Sequence, residues 1–238
     1  MNMWLEMATR VRKNLGGASE LHKLECSQAM GQENSSTHRA TAFIVVAHPD
    51  KNSFNHAIAQ SVVGRLHRLG VSTALRDLYA EEFEPRITAS EMRGQATTDP
   101  LVIEHIELLR ASDILVVIHP NCWGSPPAMM KGWIDRVFAL NAAYAFEKGS
   151  DAGDVPKGLL GLKEAFIFNT SNTPIVREHA NFGDPLELIW KNCLLHYCGV
   201  RNVVRYVFRV IATSTVEERT HWLSEAGDLV EQRLVGWQ

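Results

Sequence analysis

Short apolar runs alternate along the chain with segments whose apolar residues recur at helical spacing. Runs of this length predict strands, and the longer spacing predicts amphipathic helices. Strands are expected at residues 41–47, 71–78, 113–119, 163–169 and 203–211. Helices are expected at residues 53–69, 100–111, 185–197 and 216–234, with a further helix that ends near residue 140. Because strands that alternate with helices form a parallel sheet covered on both faces, the pattern predicts an α/β fold.

Five strands connected in this way fit a flavodoxin-like, doubly wound parallel sheet with strand order 2-1-3-4-5. A ligand of such a sheet binds at the carboxyl ends of the strands, at the switch point between strands one and three. The loop after strand one reads HPDKNSFN (48–55), and the segment after strand three begins HPNCWGSPP (119–127). These are the two most unusual loops of the chain, and both border the predicted crevice. The sequence therefore predicts a ligand site between them.

Residues 1–40 differ in character from the rest of the chain and end in the polar, turn-rich stretch GQENSSTHRA (31–40). This composition predicts an extension that is flexible or that straps onto a partner subunit. The extension has no long apolar core, so a secretory signal is not expected. The folded domain is expected to span residues 41–238.

Charge and cysteine usage exclude several classes of protein. The formal net charge of −3 gives no reason to expect nucleic acid or an anionic membrane as partner. No apolar run approaches the ~20 residues of a membrane span, so no membrane insertion is expected. The four cysteines lack CxxC spacing, and no HExxH or His/Cys cluster predicts a metal site. A reduced, cytoplasmic protein without a metal is the expectation.

The first loop offers His48, Ser53 and Asn55 at the start of a predicted helix. A helix N-terminus with free backbone N–H groups and short polar side chains suits a phosphate group. Neither GxGxxG nor GxxxxGK[ST] is present, so the usual dinucleotide and triphosphate loops are absent. The alternative is that Ser53 only caps the helix and that His48 is an ordinary loop histidine.

The segment after strand three places Trp123 and Gly124 between prolines at the end of a buried strand. The indole face and the backbone groups of residues 121–124 would bind a fused aromatic ring by stacking and edge hydrogen bonds. The alternative is that Trp123 packs in the core or at a dimer interface. Trp133 and Phe138, on the helix that follows, are expected in the core or at an interface.

The fourth strand ends in NTSNTP (169–174), whose small polar side chains suit the polar edge of a ligand. His179, Asn181 and Asp184 follow, and they would line the same mouth. Asp184 precedes Pro185, so it is also a candidate helix cap.

Two segments resemble the flavodoxin-like NAD(P)H:quinone oxidoreductase family. Residues 48–55 carry its H-P-x-x-x-S-F-N element, and residues 120–138 fit its P-x-x-W-x-x-x-P-x-x-x-K-x-W-x-(D/E)-R-V-F motif. The resemblance spans about Thr41 to Leu234. It implies a flavin that takes a hydride from NAD(P)H and passes the electrons to a quinone or similar acceptor. It also implies a homodimer with the sites at the subunit interface.

Matching the motifs residue by residue implies three groups of flavin-binding residues. The phosphate and ribityl groups would be held by His48, Ser53, Phe54 and Asn55. The isoalloxazine ring would be lined, mostly by backbone, by Pro120, Asn121, Cys122, Trp123 and Gly124. The polar edge of the ring would contact Asn169, Thr170, Ser171 and Asn172. The resemblance favours FAD, with FMN as the alternative, and it would place Arg219 and Glu217 near the adenine half of FAD.

The chain departs from the family where a Tyr and a His assist hydride transfer. No Tyr matches, and Phe182 stands at the place of the His. His179 lies nearby and is the predicted catalytic residue.

The resulting prediction is a cytoplasmic, homodimeric enzyme that passes a hydride from NAD(P)H through bound flavin to a quinone. The alternative is a flavin- and dinucleotide-binding regulatory subunit that docks to a membrane transporter. A one-electron flavodoxin carrier is disfavoured, because flavodoxins are strongly acidic and this chain is close to neutral.

Overall fold

A five-stranded parallel sheet forms the centre of the fold. The computed structural model describes residues 39–147, 149 and 154–237, so the predicted extension lies outside the described residues except for its last two positions. The strands are β1 (Thr41–Val46), β2 (Ser72–Asp77), β3 (Ile114–Pro120), β4 (Tyr144–Ala145), β5 (Lys157–Gly158), β6 (Glu164–Ser171) and β7 (Val203–Arg209). The sheet order β2-β1-β3-β6-β7 is equivalent to 2-1-3-4-5, which confirms the predicted fold class.

Helices connect the strands. They are α1 (Phe54–Arg68), α2 (Ala89–Met92), α3 (Pro100–Ala111), α4 (Ala128–Val137), α5 (Ile175–Arg177), α6 (Pro185–Glu187) and α7 (Val216–Leu234). α5 continues as a π-helical turn over Glu178–Phe182, and α6 continues as a π-helix over Leu188–Leu195. A 3₁₀ turn covers Ile211–Thr213. The predicted helix at 185–197 is therefore present, but most of it is wound as a π-helix.

The strand predictions agree with the structure to within two residues at each end. The antiparallel pair of β4 and β5 was not predicted, because strands of two residues are too short to show a period. The short helix α2 was likewise not predicted.

Alternating side chains of the central strands separate two apolar layers. Phe43 and Val45 of β1 face one layer, and Ile44 and Val46 face the other, as the period of a strand requires. The first layer includes residues of α3, α4 and the helix that follows α6, and the second includes residues of α1 and α7. Trp133 and Phe138, 0% and 6% exposed, lie in the first layer, which agrees with their predicted core position.

A buried arginine anchors the long segment between β2 and α3. Arg136 of α4 donates hydrogen bonds to Glu91 at 2.9 Å, to Asp99 at 3.1 Å and to the carbonyl oxygen of Glu84 at 2.6 Å. Burial opposes ionisation of Glu91, but the hydrogen bonds from Arg136 and Thr88 outweigh it and lower the pKa of Glu91 to about 2.

Candidate active site

A cleft of about 730 Å³ lies at the carboxyl ends of β1, β3 and β6. These strands are neighbours in the sheet, so the segments that follow them meet at one edge. The cleft brings together all the predicted cofactor-binding residues except Cys122 and Asn169. Its walls include His48, Ser53, Phe54, Asn55, Pro120, Asn121, Trp123, Gly124, Thr170, Ser171 and Asn172.

The start of α1 forms the first wall. Ser53 is the N-cap of α1, and its Oγ accepts a hydrogen bond from the backbone N–H of His56 at 3.4 Å. The serine therefore caps the helix and lines the cleft at the same time. Nδ1 of His48 lies 3.0 Å from the backbone nitrogen of Asp50 and 3.2 Å from its carbonyl oxygen, so the imidazole is held against the loop. Asn55 is buried and exchanges hydrogen bonds of 3.2 and 3.3 Å with the hydroxyl of Thr170, which joins this wall to the end of β6.

A tight turn with an exposed indole forms the second wall. The backbone groups of Cys122 and Ser125 exchange hydrogen bonds of 3.0 and 3.1 Å. Between them, Trp123 and Gly124 have φ angles of 59° and 73°, the signature of a type I′ turn. Trp123 is 104% exposed, so it does not pack in the core of its own chain. Asn121 supports the turn, because its Oδ1 accepts the N–H of Gly124 at 2.8 Å.

Cys122 and Asn169 are the predicted cofactor residues that the structure does not place in the wall. Burial raises the pKa of the Cys122 thiol, which is the opposite of what a reactive thiolate needs. Asn169 is fully buried beneath the cleft. Its amide donates to the carbonyl oxygen of His119 at 3.2 Å and accepts from Nε of Arg205 at 2.7 Å. Asn169 therefore supports the sheet edge from below.

His179, the predicted catalytic residue, lies apart from the other site residues. It lines a neighbouring cleft of about 870 Å³ together with Arg205 and Arg209, whereas Phe182 lines the first cleft. Both residues lie on the π-helical turn after α5, but they line different clefts. Asp184 does not cap α6 with its side chain, because its carboxylate pairs with Arg205 at 2.8 Å.

Arg219 lies next to the wall of the first cleft. Its guanidinium donates to the carbonyl oxygen of Ile211 at 3.0 Å and to the hydroxyl of Ser214 at 2.8 Å, and Ile211 lines the cleft. Glu217 lies in the exposed first turn of α7. The arginine thus holds the 3₁₀ turn that borders the cleft.

Sequence reasoning missed Glu178, which also lines the first cleft. The residue is 1% exposed, and its Oε2 has no hydrogen-bond partner among the residues that the structure describes. A buried carboxylate oxygen without a hydrogen-bond partner is uncommon in a folded protein. Its position in a short polar segment gave no periodic signal, since such glutamates are usually solvated.

A buried polar network below the cleft was also missed. Nε1 of Trp190 donates to Nε2 of His119 at 2.9 Å, and both side chains are 0% exposed. Burial lowers the pKa of His119 to about 4. A hydrogen bond to the Pro120 carbonyl oxygen raises the pKa, and the positive charge of Arg205 lowers it further. The imidazole is therefore neutral at physiological pH and serves as a structural bridge.

The part of the chain that the structure describes contains no cluster of three or more His, Cys, Asp or Glu side chains arranged to hold a metal ion. Among the described helices, none has both the length and the apolar character needed to cross a membrane.

Known proteins share the same fold. A family model described as flavodoxin-like fold matches residues 40–233. An uncharacterized NAD(P)H oxidoreductase of Haemophilus influenzae is 32% identical over 166 residues, which cover 67% of this chain and 79% of that protein. The crystal structure of Smu.1420 from Streptococcus mutans UA159 has a TM-score of 0.67 and 28% identity, covering 79% of this chain and 97% of that one.

A mammalian relative is similar over less of its own length. NAD(P)H dehydrogenase (quinone) 1 of Cavia porcellus is 28% identical over 181 residues, which cover 66% of this chain and 64% of that protein. The chain thus spans less than two thirds of this relative.

A doubly wound parallel sheet with a ligand cleft at its switch point defines the flavodoxin-like class. With the family match over residues 40–233 and the Haemophilus relative, the chain belongs to the flavodoxin-like NAD(P)H:quinone oxidoreductase family. This membership confirms the prediction made from the two loop motifs.

Proposed function

We propose that the protein binds a flavin in the first cleft and uses it to pass a hydride from NAD(P)H to a quinone or similar acceptor. The observation that carries this proposal is the convergence of three different kinds of wall in one cleft of about 730 Å³. One wall offers a helix N-terminus, one an exposed indole, and one the polar end of β6. Phosphate, flat ring and polar ring edge are the three parts of a flavin that these walls suit.

The residues present fit the cofactor. The free backbone N–H groups at the start of α1, with Ser53 and Nε2 of His48, would hold a phosphate group. The indole of Trp123 and the backbone of the type I′ turn would hold the ring, and Thr170 to Asn172 would contact its polar edge. When bound, a flavin supplies the hydride chemistry itself, and the protein supplies binding and orientation.

The chain's own contribution is a rigid frame for the ring and its partner substrate. The bonds between Asn55 and Thr170 fix the first wall to the third, and Asn121 fixes the turn of the second wall. Phe182 and Pro185 give the cleft an apolar side, which limits water around the reacting atoms. His179 has no such place in the cleft, so we assign it no part in hydride transfer.

We further propose FAD as the flavin, with FMN as the alternative, and a cytoplasmic homodimer as the working form. The fully exposed indole of Trp123 supports this arrangement, because a surface of this size at a cleft is suited to be covered by a ring or by a second subunit.

The absorption spectrum of the purified protein tests the proposal. A flavin spectrum is expected, and chromatography of the released cofactor would identify it as FAD or FMN. NAD(P)H-dependent quinone reduction should follow the bound flavin, and His67→Ala, in the last turn of α1 at the opposite end of that helix from Ser53, should leave it unchanged. A protein that stays colourless after incubation with FAD and FMN would overturn the proposal. A protein that binds flavin without turnover would favour a regulatory subunit instead.

A further inference from the structure

A hydrogen-bonded relay runs from the wall of the cleft to the end of β2. Oγ of Ser53 lies 2.9 Å from Nδ1 of His56, and Nε2 of His56 lies 2.9 Å from Oδ2 of Asp77. The other carboxylate oxygen of Asp77 accepts the backbone N–H groups of Tyr79 at 3.0 Å and Ala80 at 3.3 Å. The carboxylate of Asp77 is thus held in place, and it fixes the orientation of the His56 ring toward Ser53.

We propose that His56 is a positioning residue that controls the hydroxyl proton of Ser53, so that binding of a phosphate group in the cleft takes up one proton on His56. This inference rests on the proposed function, since it concerns the phosphate of the flavin.

The neutral form of His56 leaves Ser53 in the wrong state for a phosphate. Nε2 must carry the ring proton to donate to the carboxylate of Asp77, so Nδ1 can only accept. The single proton of the Ser53 hydroxyl then points to Nδ1. The hydroxyl oxygen also accepts the backbone N–H of His56. Toward the cleft it presents a lone pair, which an ionised phosphate oxygen cannot use.

A second proton on His56 reverses the bond to Ser53. Nδ1 then carries a hydrogen and donates to Oγ, while Nε2 continues to donate to Asp77. The hydroxyl proton of Ser53 becomes available to the cleft and can donate to a phosphate oxygen. The proton comes from a buffer acid, whose bond to it breaks, and it stays on Nδ1, so within the protein only one N–H bond is made.

The charges around His56 set the direction of this coupling. Asp77 at the end of β2 attracts the second proton, whereas the ring of His48, whose centroid lies 6.5 Å from that of His56, would oppose it when charged. The positive end of the α1 dipole also opposes it. A phosphate group placed at the start of α1 adds negative charge beside both histidines, so bound phosphate favours the protonated relay.

Titration calorimetry with FMN in two buffers of different ionisation heat measures the proton uptake directly. Riboflavin, which has the same ring but no phosphate, is the matched ligand. We expect the wild-type protein to take up protons with FMN and not with riboflavin, and its FMN affinity to fall as the pH is raised. His56→Phe should abolish the uptake on His56, and Ser53→Ala should reduce it. Each variant should weaken FMN binding about tenfold, the loss of one charge-assisted hydrogen bond. Riboflavin affinity should change little.

Two controls separate the relay from other sources of protons. His67→Phe removes a histidine of the same helix that pairs with Thr73 at 2.7 Å, and it should behave like the wild type. The phosphate of FMN titrates as well, and its share is part of what remains in His56→Phe. If His56→Phe retains the full wild-type uptake, the proton goes elsewhere and the relay is wrong. If no flavin binds the wild-type protein, the proposed function fails and the relay fails with it. His56→Gln, which keeps a polar side chain but cannot take up a proton, gives the same test if His56→Phe does not fold.

Discussion

Trp190 and His119 are joined by a hydrogen bond of 2.9 Å in a place that water does not reach. The indole N–H donates to Nε2, so the imidazole proton lies on Nδ1, which is 2.8 Å from the carbonyl oxygen of Pro120. Pro120 lines the cleft, and Trp190 belongs to the helix that follows α6. One neutral histidine therefore ties the loop of the second wall to the helix that follows α6.

The first prediction concerns pH. The pKa of His119 is lowered to about 4, against roughly 6.5 in the unfolded chain. The unfolded state therefore takes up a proton first on acidification, and the stability that the neutral ring contributes above pH ~6.5 is lost as the pH falls to ~4. The loss amounts to roughly 3 kcal/mol. Urea unfolding followed across this range should show it.

His119→Gln provides the comparison, because Gln retains a group that accepts from Trp190 but does not titrate. This variant should be less stable at neutral pH, and its free energy of unfolding should change less between pH ~6.5 and pH ~4. His67→Gln, at an exposed histidine, should retain the wild-type slope. A wild-type slope in His119→Gln would contradict the assignment. The paired carboxylate of Glu91, with a pKa of about 2, loses its contribution only at more acidic pH, so the two effects are separable.

The type I′ turn predicts a conflict between stability and binding at Trp123. A bulky residue at a φ of 59° is strained by roughly 1–2 kcal/mol, and Asn tolerates this conformation well. Trp123→Asn should therefore raise the melting temperature of the flavin-free protein. It should also weaken flavin binding by about 1–3 kcal/mol, because the exposed indole is lost. Unaltered flavin retention and turnover would show that Trp123 is not part of the ring site.

Arg205 is expected to be the most sensitive charged residue of the sheet. Its side chain is 4% exposed and pairs with Asp184 at 2.8 Å and with Asn169 at 2.7 Å. Arg205→Met should lower the free energy of unfolding by about 3–5 kcal/mol, because a buried carboxylate loses its partner. Lys191→Met breaks the exposed pair with Glu187 and should cost under about 1 kcal/mol. Similar losses in the two variants, measured by chemical denaturation, would rule out a special role for burial.

Two helical glycines differ in how closely other atoms approach them, so their replacement by alanine should change the stability in opposite directions. A Cβ on Gly132 of α4 would lie 2.2 Å from the carbonyl oxygen of Pro85, which nothing flexible can relieve. Gly132→Ala should destabilise the protein by about 1–3 kcal/mol. In α1, a Cβ on Gly64 meets only Nη1 of Arg68 at 3.7 Å, so Gly64→Ala should stabilise by about 0.5–1 kcal/mol. Melting temperatures that shift in the same direction in the two variants would contradict this prediction.

The sequence was informative about the fold because the central strands are continuous apolar runs and the main helices are amphipathic. Residues 41–46 and 114–120 differ little from their predicted bounds, and the predicted strand order is the observed one. The order places the ends of β1 and β3 side by side, which is why the two loop motifs were expected at one site. The π-helical turns after α5 and α6 leave no such signal, because the same apolar residues suit an ordinary helix.

The site was predictable only where it is local in sequence. Ser53 and Trp123 are marked by their own neighbours, a helix start and a pair of prolines. Asn169, Arg205 and Glu178 take their places from contacts between distant segments, and no spacing reports those contacts. Asn169 follows the polar pattern of its loop but points below the sheet edge, where Arg205 binds it.

The walls of the cleft come from three stretches of chain, near residues 48–55, 120–124 and 170–182, and a bound ligand would contact all three at once. A molecule bound there would act as a reversible cross-link between parts of the chain that are far apart in sequence. By mass action it would add about 2.7 kcal/mol to the stability at a hundred times its dissociation constant. Its effect would be greatest on the turns of the cleft wall, which lie outside the helices and strands. The supply of cofactor would thereby set how often these turns open locally.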